Sequence, residues 1–222
     1  DVDSDTAKSG YFVLDGDQIL ESSWDSVNES YVTTLPTVIS GKSVVAWREE
    51  GTLNLIKPGR IARQYNSSGL YVKLSPIFET ASWLQSNQNW YYQKQGQLVK
   101  DAWINNQGTW YFMDDEGVMF NQTWLYRGGS WYAFKSSGAM IASNWIYDQG
   151  QWYYLSTSGA MKASTWIYDK GEWYYVSSSG AMIANDWVKD NGKWYYLASS
   201  GKMLRNTYTP DGYYVGNSGA WQ

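Results

Sequence analysis

Tryptophan recurs in this chain at a fixed step. Trp83, Trp103, Trp124, Trp145, Trp166 and Trp187 stand 20 or 21 residues apart, and a second series, Trp90, Trp110, Trp131, Trp152, Trp173 and Trp194, trails the first by seven. Gly117, Gly138, Gly159, Gly180 and Gly201 keep the 21-residue step, as do Met119, Met140, Met161, Met182 and Met203. Self-similarity at such a period means one small structural unit repeated, which buries its apolar side only by stacking on its neighbours. The clearest unit runs from Trp145 to Thr165, W-I-Y-D-Q-G-Q-W-Y-Y-L-S-T-S-G-A-M-K-A-S-T. A seventh, shortened unit starts at Tyr208 and closes as T-P-D-G-Y-Y-V-G-N-S-G-A-W-Q, the atypical end expected of an array.

Each unit reads as a β-hairpin. Asp148-Gln149-Gly150, Asp169-Lys170-Gly171 and Asp190-Asn191-Gly192 put glycine where a tight loop needs positive φ. The runs on either side, Trp-Ile-Tyr and Trp-Tyr-Tyr-Leu, are short, aromatic and strand-prone. A single hairpin is not stable alone. The predicted fold is therefore all-β: a β-hairpin solenoid of about seven repeats over residues 83–222, whose core is expected to be aromatic. Residues 1–80 lack the period and predict a small β-rich domain. Runs such as Tyr11-Phe12-Val13-Leu14, Ser43-Val44-Val45-Ala46-Trp47 and Leu70-Tyr71-Val72-Lys73-Leu74 read as its strands, with the boundary between Pro76 and Ser82.

Composition removes several function classes. Of 222 residues 15 are Trp, 20 Tyr and 5 Phe, and there is no Cys and no His. Zinc fingers, thiol nucleophiles, imidazole bases and disulfide frameworks fall, and no metal site or cofactor is expected. A net charge of −4, with Lys and Arg scattered, does not suit nucleic acid. No apolar run is long enough for a membrane span. Asp1-Val2-Asp3-Ser4-Asp5 resembles a calcium loop only at its start, because Thr6 and Phe12 stand where glycine and glutamate are required. The same opening suits a mature end left by signal removal, and so a secreted protein.

Twelve Trp in six pairs call for a role beyond packing, because a purely structural slot tolerates other apolar residues. Two indoles seven apart flank the loop of one hairpin. In Trp-Tyr-Tyr the Trp and second Tyr share a face, so the second Tyr of the next unit is the expected third wall, with Met as a soft floor. Three aromatic walls with no acidic residue in the motif suit a quaternary ammonium ion, which cannot donate a hydrogen bond but is attracted to indole faces. A tandem array facing a repetitive polymer adds avidity.

The pattern W-x6-W-Y-Y-(L/V/F)-x3-G-x-M over residues 83–222 resembles the choline-binding repeats of streptococcal surface proteins and cell-wall hydrolases. The resemblance implies a left-handed solenoid with choline sites between successive repeats, and non-covalent attachment to phosphocholine on teichoic and lipoteichoic acids. Carried over, it implies cages of Trp124, Trp131 and Tyr154; Trp145, Trp152 and Tyr175; Trp166, Trp173 and Tyr196; and Trp187, Trp194 and Tyr214. Met140, Met161, Met182 and Met203 are their expected floors in that order. The Trp83 and Trp90 site would be closed by Phe112. The Trp103 and Trp110 site meets Ala133 and is expected to be weak or defective. Glucan-binding repeats, which also use Trp- and Tyr-rich hairpins, are the rival for the ligand.

For catalysis the amino-terminal region offers Asp15, Asp17, Glu21, Asp25, Glu29, Glu49, Glu50 and Glu79 without a distinctive spacing, and no catalytic residue is assigned. Leu35-Pro36, Gly41, Trp47 and Gly69-Leu70-Tyr71 resemble small β-grasp-type repeats of bacterial surface proteins, which implies a spacer or interaction module. The expectation is a non-enzymatic surface protein displaying residues 1–80 as an adhesin, with a host protein as its partner, or as a modulator of wall hydrolases. The alternative is a wall-anchored peptidoglycan hydrolase or a fragment of one. Terminal repeats of such an array could also pair two chains.

Overall fold

A computed structural model describes residues 10–14, 18–64 and 70–222, and among them finds strands and turns but no helix. Asp1–Asp5 and Gly69 lie outside the described residues, so the expectations that rest on them have no structural counterpart. The chain divides into two compact units, residues 1–104 with 112–120, and residues 105–111 with 121–222.

The first unit holds ten strands before the repeats: β1 Gly10–Leu14, β2 Gln18–Glu21, β3 Ser23–Asp25, β4 Ser30–Leu35, β5 Val38–Ile39, β6 Lys42–Ser43, β7 Ala46–Glu49, β8 Leu55–Ile56, β9 Gly59–Gln64 and β10 Leu70–Ile77. One sheet has the order β2-β1-β10-β7-β8, with β1 and β10 parallel, and a second has the order β3-β4-β9. Tyr31, Leu35, Val44, Trp47, Val72 and Leu74 form the core. Trp47 is wholly buried, and its indole N–H donates to the Pro36 carbonyl at 3.1 Å. A buried indole needs such an acceptor, or it forfeits the hydrogen bond it had in water.

The first repeat hairpin, β11 Ala81–Ser86 with β12 Asn89–Lys94, belongs to this same unit, joined by β13 Gln97–Leu98. The compact unit thus runs past the point where the sequence period begins. Arg48 Nη2 donates to the Gln85 carbonyl at 2.6 Å. Gly96, at φ +73°, lies so close to β7 that a Cβ there would stand 2.9 Å from that of Ala46. Where later hairpins carry methionine, phenylalanine, leucine or valine, this one has fully buried Gln93. Its amide nitrogen donates to the Glu79 carbonyl and to Ser82 Oγ, both at 3.0 Å, and its oxygen accepts the Gly96 N–H at 2.9 Å.

The remaining hairpins are β14 Ala102–Asn106 with β15 Thr109–Met113, β16 Trp124–Arg127 with β17 Ser130–Ala133, β18 Asn144–Asp148 with β19 Gln151–Leu155, β20 Thr165–Asp169 with β21 Glu172–Val176, β22 Asp186–Asp190 with β23 Lys193–Leu197, and β24 Thr207–Tyr208 with β25 Tyr214–Val215. The boundary between the units runs through the first of these. In the second unit the loops are Gln149-Gly150, Lys170-Gly171 and Asn191-Gly192, with φ of +46° and +84°, +49° and +87°, and +46° and +80°. Positive φ at both positions is the type I′ turn, whose twist matches that of the strands it joins.

Successive hairpins are tied by their connectors. After each hairpin the chain turns through a positive-φ glycine, and the methionine two residues on donates its N–H to the preceding hairpin. Met161 bonds the Trp131 carbonyl, Met182 that of Trp152 and Met203 that of Trp173, each at 2.8 Å. The glycine has a second reason to be glycine. A Cβ on Gly159, Gly180, Gly201 or Gly219 would collide with the thioether of Met140, Met161, Met182 or Met203 respectively. The expectation of an aromatic core needs correction here. Wholly buried in the hairpins from β18 onward are Leu155, Val176, Leu197 and Val215, and Met113, Phe112 and Phe134 are buried in the two hairpins before them, while the second Trp of each pair stays about two-fifths exposed. Aliphatic residues with a few phenyl rings carry the packing and leave the second indoles at the surface.

Candidate binding site

Strand pairing sets what each hairpin shows to its neighbours. In β18–β19, Trp145 lies opposite Tyr154 and Tyr147 opposite Trp152, so these four share one face, while Ile146 and Tyr153, also opposite each other, occupy the other face. The same register holds in β20–β21 and β22–β23. On the first face the two Trp stand nearly perpendicular, at 6.4 Å and 87° for Trp124 and Trp131 and 6.3 Å and 88° for Trp166 and Trp173. In the first unit, Trp83 and Trp90 stand at 6.5 Å and 84°.

The aromatic wall from the following hairpin is the first Tyr of Trp-Tyr-Tyr. Trp124 meets Tyr153 at 5.5 Å, Trp145 meets Tyr174 at 5.3 Å, Trp166 meets Tyr195 at 5.1 Å and Trp187 meets Tyr213 at 5.9 Å. The expected walls sit elsewhere. Tyr154 packs on Trp145, Tyr175 on Trp166, Tyr196 on Trp187 and Tyr214 on Tyr208, each inside its own hairpin at 5.1–5.3 Å. The physical reason is that stacked hairpins meet by opposite faces. A residue sharing a face with its own Trp therefore points away from the preceding hairpin, and its sequence neighbour points toward it.

The same parity places Phe112 and Ala133. Phe112 packs on Trp103 of its own hairpin at 5.2 Å and on Phe120 at 5.3 Å. Ala133 is buried opposite Trp124. Alanine there thins the layer beneath Trp124, and the residue in the wall register is Tyr132. Trp103 and Trp110 fall in different units; the carbonyl of Trp110 accepts the Met140 N–H at 2.8 Å.

Methionine shifts by one unit for a related reason. Because each connector docks on the hairpin before its own, the floor beside Trp166, Trp173 and Tyr195 is Met203, where Met182 was expected. These residues and Ser218 line an open pocket of about 370 Å³. By the same hydrogen-bond register Met161 reaches Trp131 and Met182 reaches Trp152. In the next pocket the position of the methionine is held by a tryptophan. Trp187, Trp194, Tyr213 and Trp221 line about 330 Å³, and the Trp221 N–H takes the methionine's place by donating to the Trp194 carbonyl at 2.9 Å.

A carboxylate also stands at the site, contrary to the reading of an acid-free motif. The indole N–H of Trp124 donates to Asp148 at 3.0 Å, that of Trp166 to Asp190 at 3.2 Å and that of Trp187 to Asp211 at 2.8 Å. Each aspartate stands 24 residues on in the next hairpin, Asp148 and Asp190 as the last strand residue before its loop and Asp211 in the turn between β24 and β25. Hydrogen bonds from the Thr209 hydroxyl and then from the Trp187 indole hold the Asp211 carboxyl below its ordinary value of 3.8. The signal was present in the sequence, since Asp148, Asp169, Asp190 and Asp211 recur every 21 residues, but each also reads as an ordinary turn former. Among the described residues no cluster of His, Cys, Asp and Glu is placed to hold a metal ion.

Comparison with known families finds a choline-binding repeat over residues 160–195 and 181–221. A putative cell wall binding repeat matches residues 101–119 and 143–161. No curated protein matches the chain. Among solved structures, a crystal structure of CbpF in complex with ipratropium is similar at 27% identity and a TM-score of 0.52, over 94% of this chain and 61% of that one. The chain thus spans about three-fifths of that protein's length. The choline binding domain of Spr1274 in Streptococcus pneumoniae is 40% identical over 36% of this chain and 94% of that one, with a TM-score of 0.34. A crystal structure of the modular Cpl-1 endolysin matches at 30% identity over 62% of this chain and 41% of that one, with a TM-score of 0.41.

Proposed function

The repeat array belongs to the family of choline-binding repeats, and from that premise we propose that its pockets grip the quaternary ammonium groups of choline on teichoic and lipoteichoic acids. The protein would thereby be held non-covalently on a bacterial wall after secretion, and residues 1–80 displayed outward as a non-enzymatic interaction domain. The observation that carries this is the pocket of Trp166, Trp173, Tyr195 and Met203: two perpendicular indoles, a phenol ring and a thioether around open space. A permanent cation gains about 0.5–2 kcal/mol from each well-placed ring face, and its methyl groups gain further by leaving water. A sugar of similar bulk would need several polar partners for its hydroxyls, and the residues lining this pocket offer the Ser218 hydroxyl, the Tyr195 phenol and the indole N–H groups, of which that of Trp166 is already bonded to Asp190.

Carboxylates of the amino-terminal region have structural duties that support the non-enzymatic reading. Asp25 accepts the Val27 and Asn28 N–H groups within its own turn. Glu49 pairs with Arg63 at 2.8 Å and Glu50 with Lys73 at 3.6 Å. A polymer presenting many choline groups would engage several pockets together, so that individually weak sites give firm attachment.

The test is retention on a tertiary-amine resin followed by competing elution. Choline should release the protein where dextran does not, and release by dextran in preference to choline would replace this reading with a glucan-binding one. Zymography on choline-containing walls should show no clearing. A clearing band abolished by a single amino-terminal carboxylate substitution would instead make the protein a hydrolase.

A further inference from the structure

The pocket of Trp187, Trp194 and Tyr213 differs from the one before it in its fourth wall, in having no counterpart of Ser218 and in carrying Lys189 at its second Trp, and we propose that the fourth wall, Trp221, makes it the tighter quaternary ammonium site of the two, and is so the specificity-determining residue of that pocket. The inference rests on the ammonium reading above. In the preceding pocket the fourth side is the thioether of Met203. In the last it is an indole, so a bound cation meets Trp187, Trp194, Tyr213 and Trp221. Methionine is polarizable but has no ring quadrupole, whereas indole offers the strongest cation-attracting face among the side chains.

The ring is held where this requires. The Trp221 N–H is bonded to the Trp194 carbonyl at 2.9 Å, and the Gln222 N–H to that of Tyr214 at 3.2 Å. Residues 220 and 221 extend this by bridging to Tyr195 and Val215. Trp221 stands edge-on to Tyr213 at 5.6 Å and 80°, and Tyr213 stands edge-on to Trp187 at 5.9 Å and 78°. Successive near-right angles turn the rings around a common space, so they wall it and do not fill it. About 330 Å³ remains, against about 370 Å³ beside Met203. A ligand therefore finds a similar volume with one more π face beside it.

One neighbour works against this. Lys189 holds its ammonium 5.7 Å from the Trp194 ring centroid, where the three preceding hairpins place Tyr126, Tyr147 and Tyr168 against their second Trp. A like charge this close lies inside the Debye length of about 8 Å at physiological salt and is only partly screened, so Lys189 subtracts from what the added face contributes, less so as ionic strength rises.

The experiment is a choline chloride titration of the whole protein at physiological ionic strength, followed through indole N–H resonances assigned by single Trp→Phe substitutions. Trp187 reports the last pocket and Trp166 the one before it. The Trp187 midpoint is expected at about two- to fivefold lower choline than that of Trp166, the ratio that one exposed cation–π contact supplies. Trp221→Met should bring the two midpoints together. Met203→Trp, which leaves the chain end untouched, should lower the Trp166 midpoint by a similar factor. Equal midpoints in the unaltered protein, or a Met203→Trp variant whose Trp166 midpoint does not fall, would overturn the assignment to Trp221 while leaving choline binding in place. A titration that moves no indole resonance would remove both readings.

Discussion

Trp47 and Trp152 are the same residue put to opposite uses in one chain. Trp47 lies at the centre of the amino-terminal core, wholly buried, its N–H satisfied by the Pro36 carbonyl. Trp152 stands about two-fifths exposed, with Tyr147 tilted against it at 5.2 Å. The difference comes from what else is available to pack. Around Trp47, buried Leu35, Val72 and Leu74 pack with the indole in one cluster. In the hairpins, Leu155 and Val176 already close the interior, so the indoles are free to stay open to a ligand. An aromatic residue is a core or a receptor according to whether aliphatic neighbours take the inside first.

The largest expected effect tests that contrast directly. Trp47→Ala should cost about 3–5 kcal/mol of stability in denaturant unfolding, the range for removing a buried aromatic side chain, and leave the choline response of the second unit in place. Trp152→Ala should cost about 1–2 kcal/mol, because half of its surface already faces water, while abolishing one choline site. If Trp152→Ala unfolds the array as severely as Trp47→Ala unfolds the amino-terminal unit, the indoles are core after all.

Next in size comes a comparison of two glycines with nearly equal φ, Gly171 at +87° and Gly180 at +84°. Alanine at Gly171 meets no neighbour and should cost only the left-handed backbone penalty of about 1–2 kcal/mol. Alanine at Gly180 must also displace the Met161 thioether, 2.7 Å from the new Cβ at its sulfur, which adds an overpacking cost of about 1–3 kcal/mol. It should also disturb the pocket that Met161 reaches. Equal destabilisation by the two would mean that the connector stack carries no packing of its own.

A smaller and more selective effect separates adjacent tyrosines. Tyr174→Ala should weaken the Trp145 and Trp152 site by about two- to thirtyfold, the value of one ring face, with modest loss of stability. Tyr175→Ala should do the reverse, loosening its hairpin through lost packing on Trp166 at 5.1 Å and changing the number of bound choline molecules little. For the same reason Ala133→Tyr should add a packing partner for Trp124 and no new site. Isothermal titration with thermal unfolding distinguishes these outcomes, and a choline site lost with Tyr175 alone would restore the opposite parity.

The sequence disclosed the all-β class, the repeat and the family of that repeat through Trp145, Trp152 and their counterparts, because a side chain repeated without change at 21-residue steps reports its own constraint. It did not disclose which tyrosine completes a pocket. Parity along a strand shows that Tyr153 and Tyr154 point oppositely, but only the stacking of unlike faces decides which points at Trp124. Met203 was assigned one pocket too late for the same kind of reason. A connector's docking partner depends on a hydrogen bond between units, such as that from Met203 N–H to the Trp173 carbonyl, and nothing local encodes it. Asp190 was visible but served two masters, turn and indole, and the turn sufficed to explain it. Trp221 was hidden because the last unit is shortened, so that its tryptophan falls 18 residues after Met203, although Ser218-Gly219-Ala220 precede it as the same motif precedes Met182.

The aspartates provide the finest comparison, between the charge of a wall and its position. Asp211 accepts from the Trp187 indole at 2.8 Å and from the Thr209 hydroxyl at 2.6 Å. Asn at this position keeps an acceptor and loses the charge, whereas Ala loses both. If the carboxylate only orients the indole, Asp211→Asn should bind choline like the parent protein, and Asp211→Ala should bind less tightly. If its charge also attracts the ligand, Asp211→Asn should weaken choline while leaving unchanged the affinity for 3,3-dimethyl-1-butanol, an uncharged molecule of the same shape. Because the folded carboxyl titrates below its ordinary 3.8, its contribution is complete above that value and is lost as pH falls through the lower, folded one. Binding at the last pocket should therefore be flat from pH 8 to about pH 5 and decline only in stronger acid. A decline centred near neutral pH would assign the effect to another group, since this carboxylate stays ionised throughout that range.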